Sequence, residues 1–167
     1  RIADHNTPVL IIGEAGCDKE AIARYIHSKS FRKNEPFIAV NISALNSEDP
    51  ASDIFGKYIN GNLIPGLLDE AKNGTVFLKD IIELDAISQA KLQDTIEKSR
   101  YTRVGGGTSE PLTARIIAST SKILEDAIKE EKFRGNLYYQ LNVLPIIIPA
   151  LSNHFEDIPE LLEYYVN

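Results

Sequence analysis

Short apolar runs punctuate the chain at Pro8 to Ile12, Phe37 to Val40, Thr75 to Leu78, Arg115 to Thr120 and Val143 to Ile148. Each reads as a strand, and their near-continuous hydrophobicity predicts burial on both faces, as in a parallel sheet. Between them the period lengthens to that of a helix. Lys19 to Ser30 gathers alanines and isoleucines on one face, Ile87 to Lys98 carries Ile87, Ala90, Leu92, Thr95 and Ile96 in helical order, and Ile123 to Glu130 is a further short helix. A last helix is expected over Phe155 to Tyr165, where Asp157 ahead of Pro159 is a start signal. Asn60-Gly61-Asn62, Asn73-Gly74 and Gly105-Gly106-Gly107 mark loops, and no internal repeat or low-complexity tract interrupts the pattern. Alternation of strands and helices predicts a mostly parallel five-stranded sheet with helices on both faces.

Composition narrows what such a domain does. A length of 167 residues suits one domain, and a formal charge of -6 gives no bulk electrostatic reason to bind DNA. Cys17 is the single cysteine, which excludes an intrachain disulfide framework and a cysteine-rich metal site and suits a reducing compartment. His5, His27 and His154 are scattered without ligand spacing. The longest apolar run, Val143 to Leu151, contains prolines and is too short to cross a bilayer, so a cytoplasmic location without membrane contact is expected.

The chemistry lies between the first strand and the first helix. Gly13-Glu14-Ala15-Gly16-Cys17-Asp18-Lys19-Glu20 has the G-x-x-x-x-G-K form of a phosphate-binding loop, with Asp18 where the second glycine belongs. In such a loop the backbone N–H groups and the helix start surround phosphates, and the lysine reaches the terminal ones. Asp18 brings a side chain and a negative charge into that concavity, opposing an anion by bulk and by charge. Lys19 is the best remaining phosphate ligand, although Asp18 and Glu20 flank it. ATP binding is therefore expected to be weak or absent. Cys17 near a helix start has the makings of a redox-sensitive thiol, but a small residue filling its place in the loop is the simpler reading.

Downstream residues extend this pattern. Pro36-Phe37-Ile38-Ala39-Val40-Asn41, Asn73-Gly74-Thr75-Val76-Phe77-Leu78, Arg103-Val104-Gly105-Gly106, Phe133-Arg134, Leu137-Tyr138-Tyr139 and Asp157-Ile158-Pro159 follow in order. In these the chain resembles the AAA+ central domain of bacterial enhancer-binding proteins, the sigma-54-dependent transcription activators. The resemblance implies a three-layer αβα P-loop NTPase (AAA+) core that places ATP between neighbouring subunits of a ring. Residues 1–167 then form a single AAA+ α/β subdomain, with the helical lid, an N-terminal sensory or receiver domain and a C-terminal DNA-binding domain expected outside it.

By the same resemblance the catalytic positions are altered. Lys79 and Asp80 stand where the family has the Asp-Glu pair that holds Mg²⁺ and orients water, so Mg²⁺ and catalysis are not expected. Arg134 keeps one arginine-finger position, Gln140 replaces the other, Ser121 stands at the sensor asparagine, and Asn41 retains the position that contacts the catalytic glutamate. The sigma-contacting loop should lie between Gly56 and Ala71, yet Gly56-Lys57-Tyr58-Ile59-Asn60-Gly61-Asn62-Leu63-Ile64-Pro65-Gly66 lacks it. Two readings of Asp18 and Lys79 stay open: independent drift, or an internal ion pair that mimics bound nucleotide. The expected role is an oligomerisation and signal-relay module in a transcription regulator, self-associating as a ring or dimer, with RNA polymerase as a partner. The rivals are an active sigma-54 ATPase and a cyclic-dinucleotide sensor using Arg24 and Lys19.

Overall fold

The computed structural model describes residues 6–149. In chain order these form β1 (Val9–Ile12), α1 (Lys19–Ser28), β2 (Phe37–Asn41), α2 (Pro50–Phe55), β3 (Lys57–Ile59), β4 (Asn62–Ile64), α3 (Leu67–Ala71), β5 (Thr75–Lys79), α4 (Ala86–Lys98), β6 (Arg100–Tyr101), β7 (Glu110–Pro111), β8 (Arg115–Thr120), α5 (Leu124–Lys129), α6 (Gly135–Leu141) and β9 (Leu144–Ile147). Single 3-10 turns at Ile42–Ala44 and Ile81–Glu83 follow β2 and β5.

The main sheet has the order β2-β5-β8-β1-β9, and every pairing in it is parallel. Side chains alternate between two cores, as the two-residue strand period requires. Val9, Ile11, Phe77 and Ile117 point to one face and meet Ile22, Ala23 and Ile26 of α1. Leu10, Val76, Leu78, Ile116 and Ala118 point to the other, where α2 to α6 supply Phe55, Leu68, Leu92, Leu124 and Leu137. The sheet is thus the middle of three layers, the architecture expected of a P-loop NTPase core. The predicted helix over Phe155 to Tyr165 lies outside the described residues.

The chain leaves β1 for the far edge strand β2 and returns through β5 and β8 to lie beside β1. Strand order therefore reverses at the carboxyl end of β1, the crevice where open parallel sheets bind ligands. A second, smaller sheet is the hairpin of β3 and β4. Asn60 (φ 51) and Gly61 (φ 78) form its turn, and positive φ at both positions matches the twist of a two-residue hairpin.

Polar bonds anchor this hairpin to the body. Tyr58 N donates to the Val104 carbonyl and Val104 N to the Gly56 carbonyl, each at 2.9 Å. Beneath it Asp69 accepts from Arg103 Nη2 at 2.6 Å, from the Tyr101 hydroxyl at 2.5 Å and from Gly66 N at 2.9 Å. Burial pushes the Asp69 carboxyl upward, but the bonds from Arg103, Tyr101 and Gly66 outweigh it and hold the group below its ordinary value. Burial and the neighbouring Asp69 raise the Tyr101 hydroxyl, and the bond to Asp69 raises Arg103.

Candidate nucleotide site

The phosphate loop joins β1 to α1 at the reversal point. Gly13 N donates to the Thr120 carbonyl at 3.2 Å, which fixes the start of the loop to the end of β8. Cys17 N donates to the Glu14 carbonyl at 3.2 Å, and Gly16 supplies a φ of 97 that a residue with a Cβ rarely adopts. Glu14, Gly16 and Asp18 are exposed, whereas Lys19 is 5% exposed.

Two loop side chains are engaged by the loop itself. Asp18 is the N-cap of α1, its carboxylate accepting from Ala21 N at 3.0 Å. That bond satisfies one of the free donors at the helix start, which is the service an anion would otherwise provide. The Lys19 ammonium donates to the Glu14 carbonyl at 3.0 Å, folded back over its own loop. Burial lowers the Lys19 pKa, Cys17 and Asp80 partly restore it, and Lys79 lowers it again. The end of β5 and the phosphate loop therefore share one electrostatic neighbourhood.

The internal ion pair between Asp18 and Lys79 is not formed. Asp18 binds its own helix, a local contact that needs no distant partner, and Lys79 is exposed at the end of β5. Asp80 adopts a left-handed conformation (φ 61, ψ 59), and its backbone N–H donates to Ser119 Oγ at 3.3 Å. Its carboxylate makes no hydrogen bond among the described residues, and its charge acts on the nearby Lys19 ammonium. Asn41 pairs in register with Lys79, but its side-chain oxygen accepts from Ser43 N at 3.2 Å and Ser43 Oγ at 2.9 Å rather than contacting Asp80.

The remaining predicted residues are spread more widely. Glu20 pairs with Arg24 at 3.2 Å, and Arg24 stacks 4.6 Å from the centre of the Phe37 ring. Ser121 is exposed after β8 and lines a cavity of about 590 Å³ with Glu83, Lys122 and Ile123. Arg134 is held by α4, its backbone N–H donating to Gln89 Oε1 at 2.9 Å and its Nε to Gln93 Oε1 at 2.7 Å. Gln140 is half-buried on α6, with a side-chain oxygen that has no partner among the described residues. Neither Arg134 nor Gln140 hydrogen-bonds the phosphate loop. Tyr138 packs against the core and donates to Glu125 Oε1 at 2.5 Å, but Tyr139 is 74% exposed. Among the described residues no cluster of His, Cys, Asp and Glu could hold a metal ion, and no helix is long and apolar enough to cross a membrane.

The family model described as the sigma-54 interaction domain matches residues 1–147. The chain belongs to the sigma-54 interaction domain family. It is 39% identical to the transcriptional regulatory protein XylR of Pseudomonas putida over 95% of its length and 29% of that protein's. A Nif-specific regulatory protein of Azotobacter vinelandii is likewise 39% identical, over 98% of this chain and 32% of the relative. This sigma-54 interaction domain thus spans about a third of the length of those relatives. Among solved structures it resembles NtrX from Brucella abortus, with a TM-score of 0.85 and 36% identity over 98% of this chain and 38% of NtrX. NtrX in complex with ATP is also similar, with a TM-score of 0.83 and 35% identity over the same shares.

Proposed function

We propose that this sigma-54 interaction domain is the central module of a transcription regulator in which the nucleotide site no longer drives hydrolysis. The observation that carries the reading is the Asp18 carboxylate on Ala21 N at the start of α1. An anion arriving there meets a like charge already seated on a helix-start donor, and must also draw Lys19 off the Glu14 carbonyl. Lys79 adds a cation where the family places a metal-holding aspartate, and metal-assisted charge neutralisation supplies much of phosphoryl-transfer catalysis.

The hairpin of β3 and β4 occupies the stretch where the family carries its sigma-contacting loop, and its two-residue turn leaves no long projecting tip. A domain without that tip serves as an oligomerisation and signal-relay module, as a ring or dimer, rather than as a remodeller of sigma-54 polymerase. DNA is then bound by another part of the full-length protein, and RNA polymerase is engaged with the ordinary sigma factor.

Retained ATP hydrolysis is the second reading, favoured by the solved ATP complex of NtrX and by the preserved Lys19. ATP turnover by the full-length protein separates the two. The expected result is no Mg²⁺-dependent phosphate release above a protein-free control; clear turnover would overturn the proposal.

A further inference from the structure

At the end of the sheet opposite the phosphate loop, Arg32 lies at 5% exposure before β2. Its Nη1 donates to the carbonyls of Asn73 at 2.5 Å and Thr113 at 2.6 Å, and its Nη2 to the side-chain oxygen of Asn6. All of these acceptors are neutral. Among the described residues no carboxylate lies within ion-pair distance, and Nε–H is buried without a partner there. Buried guanidinium groups are ordinarily matched by an anion, because desolvation of an unmatched charge is costly. Burial in fact lowers the Arg32 pKa, with the charge of Glu35 opposing that shift from a distance.

Arg32 also borders a cavity of about 610 Å³, within the size range of small-molecule sites. Its wall is divided by chemistry. Asn73 and Ser99 contribute side-chain donors that make no hydrogen bond among the described residues, Phe31 and Leu112 contribute apolar surface, and Glu35 contributes a carboxylate that likewise makes none there. A simple dianion would face repulsion from Glu35, and a simple cation would face Arg32. We propose that this cavity binds a zwitterionic small molecule of the α-amino acid class, its carboxylate at Arg32, its ammonium at Glu35 and its side chain against Phe31 and Leu112. The ligand carboxylate replaces the neutral Asn6 oxygen with an ionised acceptor, so that both partners of the bond carry charge. Because the cavity meets the amino ends of β2, β5 and β8, a ligand there would give the relay domain an input separate from the nucleotide site.

The test is calorimetric titration of the full-length protein, without nucleotide, with glycine, L-leucine and L-phenylalanine. The half-ligands 4-methylpentanoate and 3-methylbutylamine serve as references for leucine. Saturable binding of at least one amino acid is expected, with each half-ligand about tenfold or more weaker than leucine where leucine binds. Glu35→Gln changes an exposed side chain without structural bonds, so it should fold, and it should weaken amino-acid binding about tenfold. Absence of saturable binding by all three amino acids, equal binding of leucine and 4-methylpentanoate, or unchanged affinity in Glu35→Gln would overturn the proposal. None of these outcomes depends on whether ATP is bound or hydrolysed.

Discussion

Two charged regions of this domain are built on opposite terms. Under the hairpin, the Asp69 carboxylate receives bonds from Tyr101 in β6, from Arg103 in the loop after it, and from the backbone N–H of Gly66 at the start of α3. At the phosphate loop, among the described residues, Asp18 and Lys19 bind only their own segment, the Asp80 carboxylate makes no hydrogen bond, and Lys79 faces solvent. The first region is a structural network joining segments remote in sequence. The second contains charges whose contacts among the described residues are local or absent.

The largest effect should come from breaking the network. Asp69→Ala leaves Arg103, which is 9% exposed, with only the longer ion pair to Glu110 at 3.5 Å among the described residues, and removing one partner of a buried pair typically costs about 3–5 kcal/mol. Urea unfolding should show that loss, whereas Lys79→Ala should stay within about 0.5 kcal/mol of the parent, as exposed substitutions do. A large penalty for Lys79→Ala would mean that the phosphate loop is as tightly wired as the hairpin base.

Asp18 should show an intermediate effect of a particular shape. Loss of its cap in Asp18→Ala is expected to cost about 1 kcal/mol, and Asp18→Gly only a few tenths, since glycine is tolerated at N-caps. Equal penalties for the two variants would place the role of the carboxylate elsewhere than on the helix.

A smaller, pH-dependent term involves His27. Its ring bonds Thr75 Oγ1 at 2.8 Å and the Glu35 carbonyl at 3.0 Å, and burial lowers its pKa despite the Glu35 bond. The folded protein therefore favours neutral His27, so its contribution is present above the unfolded value of 6.5 and is lost as pH falls from there through the folded pKa. Thermal melts between neutral pH and pH 5 should show this loss, and His27→Gln should reduce the slope.

Much of this was legible from residue order. The five strands of the main sheet lie within a residue of their apolar runs; the inner strands β1, β5 and β8 are largely buried on both faces, as continuous hydrophobic text implies, whereas the edge strands β2 and β9 are only partly buried. α1 ends at Ser28 rather than Ser30 because Ser30 N and Oγ both turn back to the His27 carbonyl. The shorter elements were harder to see. α2 is only six residues long, although Asp49 before Pro50 marks its start, and the hairpin needed the Asn60-Gly61 turn to be weighed as pairing rather than as loop. The phosphate loop was visible as a motif, but the partner of Asp18 was not. A carboxylate beside a lysine-bearing strand end invites a long-range ion pair, yet the helix start three residues away offers a donor without ordering two long side chains. The Asp69 network is hidden in the sequence because its members come from two separate stretches, Gly66 to Asp69 and Tyr101 to Arg103, that no motif joins.

Titration of Mg²⁺-ATP into the full-length protein and its Asp18→Gly/Lys79→Asp variant tests the central claim most directly. The account predicts little or no binding by the parent and an affinity at least about tenfold higher in the variant, the equivalent of about 1.4 kcal/mol. Tight Mg²⁺-dependent binding by the parent, or identical isotherms for the two proteins, would contradict it.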